Sequence, residues 1–194
     1  MPRPPALHDH ALDNLRFIRE TMERAGAFTS VPGWGGVLMG VTAIATAALA
    51  GPVDGSRRWL AAWLTDAAVA GAIGLVAIAI KAQQSGLSLA AVPARRFALA
   101  YVPPLVAGAV LTVVFVRAGL ATRLPGCWLL LYGTAVATGG VEAVRVVALM
   151  GICFMAAGVA ALAMPAEWGN WMMAAGFGGL HIGFGLAIVR NYGG

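Results

Sequence analysis

The sequence predicts an all-α polytopic membrane protein with six transmembrane helices. Hydrophobic residues make up 60% of the chain and charged residues only 11%, whereas about a quarter of the residues in soluble domains are charged. The mean hydropathy is +0.81. Six apolar runs, each of about 20 residues, could cross a hydrocarbon core about 30 Å thick. The predicted spans are Trp34–Val53, Trp59–Ile80, Phe97–Val116, Pro125–Val141, Val146–Pro165 and Trp168–Val189.

The residues before the first span have a different pattern. Apolar residues recur there at helical spacing between charged ones, and Gly26 follows them. This pattern predicts an N-terminal amphipathic interfacial helix within residues 1–30, followed by one transmembrane domain, residues 31–194. Arginines and acidic residues balance in this segment, so it is not a polybasic lipid anchor. It lies on the cytoplasmic face, packs under the bundle, or contacts a partner or a second copy. The apolar positions are Leu12, Leu15, Ile18, Met22 and Ala25.

The distribution of basic residues favours a cytoplasmic location for both termini. In that orientation the cytoplasmic segments hold nine arginines and lysines and the opposite segments hold four, as the positive-inside rule requires. Five of the six tryptophans then lie at the outer interface. Twelve arginines against one lysine, with many alanines and glycines, indicate a bacterial source. The sequence therefore predicts a multi-pass protein of the bacterial cytoplasmic (inner) membrane.

Several function classes have no support in the sequence. The basic residues are scattered rather than clustered, which argues against nucleic-acid binding. His8 and His10 make an incomplete metal site, and no hydrolase, nucleotide-binding or zinc-protease motif is present. Haem is disfavoured because only His181 falls within a predicted span. We therefore expect no metal and no cofactor, and an intramembrane enzyme is only the third interpretation.

Spans one and four share a sequence pattern. "PGWGGVLMGVTAIAT" begins at Pro32 and "PGCWLLLYGTAVAT" begins at Pro125, and a glycine follows each proline by eight residues, at Gly40 and Gly133. A three-span unit that is repeated once must insert upside down the second time, so the pattern predicts a 3+3 inverted repeat. The alternative is a chance similarity between two helices rich in alanine and glycine.

Three further stretches carry a resemblance over the whole chain. They are the opening "LRFIRETMERAG…VPGWGG", the fourth-span "LLLYGTAV" and the closing "GFGGLH…YGG". In these stretches the chain resembles a group of small bacterial six-span membrane proteins of unknown function. The resemblance implies a family and adds no activity.

His181 is the central candidate for function. It follows Asn170 by eleven residues, which places it about 16 Å into the sixth span, near the bilayer midplane. We predict that it faces the bundle interior and lines a polar pocket with Thr46 and Thr138, each about twelve residues into its own span. An unperturbed histidine titrates at about pH 6.5, so a hydrated His181 could carry protons. The alternative is a neutral imidazole that bonds to a threonine or a carbonyl and only holds helices together.

Two carboxyl groups complete the predicted pathway. Asp66 lies about 10 Å inside the outer face, where a carboxylate is costly to insert and is therefore a functional candidate. Glu142 lies in the tight link after span four and could receive protons at the inner mouth. The alternatives are a protonated or arginine-paired Asp66, and a local pair between Glu142 and Arg145. The threonines, for their part, often bond to carbonyls of their own helix.

Glycines at four-residue spacing predict where helices pack closely. Gly36 and Gly40 in span one, and Gly179 and Gly183 in span six, each form a small-xxx-small pair. Such pairs let two helix backbones approach in a membrane.

The lead functional interpretation is movement of a small solute, ion or proton through a polar centre. The alternative is a membrane subunit, sensor or interaction protein that transports nothing, and that could also form a homo-oligomer. A water-accessible central cavity would favour the first, and a dry core with a flat apolar patch the second. The lipid bilayer is the one partner that both interpretations require.

Overall fold

The structure, a computed structural model, describes residues 32–84, 92–141 and 143–192. Within these residues the chain is helical without strands, and six helices are long and apolar enough to cross a membrane. The prediction of a six-span helical membrane protein in a lipid bilayer is thereby confirmed. The predicted N-terminal amphipathic helix and Glu142 lie outside the described residues.

Each of the first five spans is a single helix. The predicted boundaries differ from the observed ones by a few residues, most clearly where the second span runs on to Gln84 and the third begins at Val92. The third span is one continuous helix through Pro103 and Pro104, although two adjacent prolines predict a break or a kink. The helices are α1 (Gly33–Ala50), α2 (Arg57–Gln84), α3 (Val92–Arg117), α4 (Leu124–Val141) and α5 (Arg145–Ala163).

The sixth span changes its helical geometry along its length. A short helix, α6 (Gly169–Met173), passes into a π-helical segment (Ala174–Leu180), and the regular α7 (His181–Tyr192) completes the span. Three of the seven residues in the π segment are glycines. Wide turns of this kind are rare and often occur at functional sites. One-turn 3₁₀ helices lead into α4 and α6, at Ala121–Arg123 and Ala166–Trp168.

A side-chain cap begins α2. The backbone N–H of Trp59 donates to Ser56 Oγ at 3.2 Å, and the N–H of Ser56 donates to Asp54 Oδ1 at 2.8 Å. The hydroxyl satisfies one of the backbone donors that every helix start leaves open. The same contacts with Ser56 lower the pKa of the exposed Asp54 carboxyl. The cap lies at the end of the bundle where α1 ends and α2 begins, called the tryptophan end below because Trp59, Trp63 and Trp128 lie there.

The helices pack mainly in a chain of neighbours. α1 packs on α2 and on the sixth span, and α4 packs on α5 and on α3. In the described part of the chain α2 therefore has α1 as its main neighbour, and α3 has α4. These two helices are also the least buried of the six spans. A central cavity lies between the helices. α2 and α3 form its outer sides, and the other four spans line the rest of it.

Glycines bring the other pairs of helices into backbone contact. A Cβ at Gly133 would lie 2.5 Å from the backbone nitrogen of Met155, so α4 and α5 approach too closely for any side chain there. A Cβ at Gly40 would lie 2.7 Å from the carbonyl oxygen of Gly178, which brings α1 equally close to the sixth span. The glycines of these contacts recur every seven residues, which keeps them on one helix face. They are Gly33 and Gly40, Gly126, Gly133 and Gly140, Gly151 and Gly158, and Gly178 and Gly185.

The contact between α1 and the sixth span differs from the predicted one. Gly40 belongs to it as expected, and Gly36 lies beside it, where a Cβ would lie at an ordinary van der Waals distance of 3.5 Å from the Gly185 Cα. A Cβ at Gly179 or at Gly183 would meet nothing within 4 Å. The packing face of the sixth span is therefore turned to Gly178 and Gly185, and the predicted pair faces outward.

Candidate functional site

The local structure of the sixth span presents His181 to the interior. His181 is the first residue after the π-helical segment, and only 4% of its surface is exposed. Its Nδ1 lies 2.9 Å from the carbonyl oxygen of Phe177, one turn earlier. The imidazole is thus held against its own helix by a backbone carbonyl.

The second ring nitrogen of His181 has a partner on another helix. Nε2 lies 2.7 Å from the hydroxyl oxygen of Tyr132, in the middle of α4. A carbonyl can only accept, so in the neutral imidazole Nδ1 carries the proton and donates to Phe177. Nε2 then accepts the hydrogen bond that the Tyr132 hydroxyl donates. Both nitrogens of a buried imidazole are therefore satisfied without a charge.

An aromatic cluster surrounds this pair. The Phe154 ring is edge-on to both His181 and Tyr132, with centroids 5.1 and 4.9 Å away. The Phe177 ring lies nearly parallel to the imidazole at 6.2 Å. The Tyr101 ring of α3 meets Tyr132 edge-on at 6.3 Å, and the two hydroxyls interact. These edge-to-face contacts fix the ring orientations around the hydrogen bond.

The His181–Tyr132 pair lies on the wall of a central cavity of about 650 Å³. The lining is mostly aliphatic, aromatic and glycine residues from all six spans, and its polar members are few. Leu75 of α2 and Val102 of α3 line the cavity and are also 71% and 48% exposed on the outside of the bundle. These two residues mark where the cavity opens sideways, between α2 and α3. The polar members are Asp66, Trp63, Tyr101, Thr112, Trp128, Tyr132 and His181.

Asp66 lies in the same cavity but has different neighbours. It is 8% exposed and faces the side chains of Thr42 and Thr46 on α1. Arginine was the expected partner in one interpretation, but the guanidinium of Arg123 donates to the carbonyl of Leu162, at 3.0 Å. Thr46 was predicted to line a pocket with His181, but it does not line the cavity of His181 and faces Asp66 instead.

Thr138 lies away from the cavity. Its hydroxyl is within 2.9 Å of the carbonyl oxygen of Ala100 on α3 and within 2.8 Å of that of Thr134 on its own helix. The hydroxyl of Thr134 donates in turn to Leu130, at 2.9 Å. Backbone bonding, the alternative weighed above, thus accounts for this pair of threonines. The structure does not bring Thr138 to His181, and Glu142 is not described.

Two important polar residues were not identified from the sequence. Tyr132 is the partner of His181, and its only signal was a lone tyrosine in the middle of an apolar span, within "LLLYGTAV". Asn170 holds the tryptophan end together. Its side-chain oxygen lies 3.1 Å from the indole nitrogen of Trp63 and 3.4 Å from that of Trp59, while its amide donates to Ala47 at 2.7 Å.

No protein-family model, curated protein or solved structure matches the chain. Within residues 32–84, 92–141 and 143–192, no three His, Cys, Asp or Glu side chains come together as a metal site would require. His8 and His10 lie outside those ranges. The chemistry available for a functional assignment is therefore that of the cavity, with His181 and Tyr132 on its wall and Asp66 nearer the tryptophan end.

Proposed function

We propose that the protein binds a small, largely apolar molecule with one hydrogen-bonding head group, which reaches the central cavity from the bilayer. The observation that carries this proposal is the His181–Tyr132 hydrogen bond, set in the wall of a 650 Å³ cavity that is otherwise mainly apolar. Pockets for small molecules have this size and this composition, with a few placed polar groups that orient the ligand.

The side opening supports access from the lipid phase. The ligand would pass between Leu75 and Val102, which are exposed on neighbouring outer walls and line the cavity as well. An apolar molecule partitions into the hydrocarbon core, so it arrives at this opening without crossing water. Its apolar body would then lie against the α2 and α3 walls, and its head group would lie at the aromatic cluster.

The hydrogen-bond directions favour a ligand that donates. Tyr132 gives its proton to His181, and His181 gives its own to the Phe177 carbonyl. Because Tyr132 has used its only proton on His181, a hydrogen bond between the two tyrosine hydroxyls must be donated by Tyr101. All three side-chain protons are then used, and the oxygen of Tyr101 keeps a free lone pair on the cavity wall. A long-chain alcohol or a phenol matches this acceptor.

A photoreactive alcohol tests the proposal. A long-chain alcohol with a diazirine in mid-chain would be added to the protein in nanodiscs, with or without an excess of the plain alcohol. We expect saturable labelling of the cavity faces of α2 and α3. The Tyr101→Phe variant should bind about fivefold more weakly, since one hydrogen bond is worth on the order of 1 kcal/mol.

The chain offers a matched pair of control variants. Gly71 lines the cavity and Gly183 faces outward, and a Cβ at either position would meet nothing within 4 Å. Gly71→Phe should abolish the saturable labelling, and Gly183→Phe should leave it intact. Labelling that never saturates, or that is equal in the two variants, would mean that the alcohol merely dissolves in the surrounding lipid.

Passage of a proton, an ion or a small solute is the second candidate function. The observation that favours it is that Asp66 and His181 line one cavity, with Asp66 nearer the tryptophan end. Proton flux into liposomes, with the His181→Phe variant as comparison, tests this candidate. Equal flux in wild type and variant, or none in either, would leave ligand binding without transport, as in a sensor or a subunit.

A further inference from the structure

Asp66 lies between the central cavity and a second, separate groove. This groove has a volume of about 560 Å³, runs between α1 and α2 toward the tryptophan end, and is more open than the cavity. Asp66 contributes to the lining of both spaces. Arg58, which starts about 12 Å along α2 from Asp66, lines the groove as well. Asp66 thus lies where α1 meets α2, between the groove on one side and the central cavity on the other.

The hydrogen bond of Thr42 indicates whether the neighbouring Asp66 carboxyl is ionised or protonated. Thr42 donates its only hydroxyl proton to the carbonyl of Met39, at 2.8 Å. With that proton used on Met39, the Thr42 oxygen that faces Asp66 can act only as an acceptor. An ionised carboxylate would face that oxygen with a repulsion, whereas a protonated carboxyl can donate to it. Thr46, the other facing hydroxyl, can then donate to the remaining carboxyl oxygen.

We propose that Asp66 is a proton-binding site, which holds its carboxyl protonated between Thr42 and Thr46 and exchanges that proton with the solution at the tryptophan end through the α1–α2 groove. The proton moves between the carboxyl oxygen and water in the groove, and no other bond is made or broken. This inference goes beyond the proposed binding function and does not depend on it, because it rests on the groove and on the threonines.

The groups that face Asp66 provide little competing charge. The described part of α1 has no titratable side chain. On its own helix the groove holds Arg58, and across the cavity stand His181, Tyr101 and Tyr132 from the sixth span, α3 and α4. His181 is neutral in the arrangement described above. A metal cation is a poorer occupant than a proton, since it needs about six oxygen ligands and the site offers one carboxyl and two hydroxyls.

Dicyclohexylcarbodiimide tests this site because it modifies carboxyls that are protonated in an apolar place. The full-length protein in nanodiscs would be treated from about pH 5 to about pH 9 and its peptides analysed by mass spectrometry. We expect an adduct on Asp66 that falls on the order of tenfold across this range. Asp54 is the internal control, because it is exposed and hydrogen bonds from Ser56 lower the pKa of its carboxyl.

Two pairs of variants separate the site from its access route. Thr42→Val removes the acceptor and should lower labelling severalfold, whereas Thr138→Val makes the same change on a threonine that is not at this site. Ala61→Phe would fill the groove and slow the response of labelling to a pH jump. Ala68→Phe adds the same ring to an exposed position of α2 that lines neither space, and should not slow it.

Three results would overturn the proposal. The first is no adduct on Asp66 at any pH, or an adduct that does not vary with pH. The second is unchanged labelling in Thr42→Val. The third is protection by sodium chloride relative to choline chloride at constant pH, which would assign the site to a metal cation.

Discussion

The indole rings of Trp59 and Trp128 are stacked, with centroids 5.6 Å apart and planes at 4°. Trp59 is fully buried, and its ring nitrogen points to Asn170. The nitrogen of Trp128 donates to the hydroxyl of Thr112 at 2.8 Å. One network therefore joins α2, α3, α4 and the sixth span at the tryptophan end, and Asn170 extends it to α1 through Ala47.

Asn170→Ala should destabilise the protein by about 1–3 kcal/mol. The change removes the acceptor of two indole N–H groups and the donor to Ala47, and leaves buried polar groups without partners. Unfolding by sodium dodecyl sulfate in mixed micelles measures the loss. Asn191→Ala is the matched control, because Asn191 is exposed near the end of α7. An equal loss of stability in the two variants would contradict a stabilising role for the hydrogen bonds of Asn170.

Tyr132→Phe should cost about 1–3 kcal/mol and change the state of His181. The ring stays and the hydroxyl goes, so Nε2 of a buried imidazole loses its donor. Nitrogen NMR of labelled histidine should show the neutral, Nδ1-protonated tautomer in the wild type. The Nε2 signal of His181 should shift in the Tyr132→Phe variant and should change little in the Tyr101→Phe variant. A doubly protonated ring in the wild type at neutral pH would refute the assignment.

Gly151→Ala should prevent normal packing of α4 on α5. A Cβ at Gly151 collides with the backbone of Ala137, which no side-chain rotation relieves, and overpacking costs about 1–3 kcal/mol or more. Gly183→Ala should instead be neutral or stabilising by about 0.5–1 kcal/mol, since it faces outward and alanine is the better helix former. Unfolding by sodium dodecyl sulfate in mixed micelles compares the two variants. Similar free energies of unfolding for both would contradict the close packing of α4 on α5 at Gly151.

Single cysteines at Ser56 and Gln84 should be labelled from opposite sides of the membrane. Ser56 precedes α2 and Gln84 ends it, so α2 as a full span separates them. With both termini in the cytoplasm, Ser56 is the position that an impermeant maleimide reaches from outside. Cys127 and Cys153 would first be replaced by alanine. Labelling of both positions from the same side would exclude this topology.

Span length and hydropathy are local properties, and they predicted all six helices within a few residues. The burial of His181 also followed from its depth in an apolar span. The rotation of each helix and the choice of its neighbours are not local. For this reason Tyr132 was missed as the partner of His181, and Thr138 was placed in a pocket it does not line. Gly178 and Gly183 are both glycines of one span, and only the rotation decides which of them meets α1.

The inverted repeat stays a prediction, and the glycines that suggested it act differently in the two spans. Gly33 and Gly40 of α1 pack on the sixth span, whereas Gly126 and Gly133 of α4 pack on α5. A repeat would relate the sixth span to α3 and not to α5. Superposing residues 32–118 on residues 125–190 decides the matter, and only a match of three helices in the same order would support it.

The contact between α1 and the sixth span has a consequence for how the protein is made. Gly33 and Gly40 belong to the first of the six spans to be synthesised, and their partners Gly185 and Gly178 belong to the sixth. More than a hundred residues separate the two helices, so at ribosomal speed α1 waits on the order of ten seconds with its glycine face uncovered. That face of α1 is therefore covered only after the sixth span has been made. A chain that stops before Ala166 therefore leaves that face of α1 exposed to lipid.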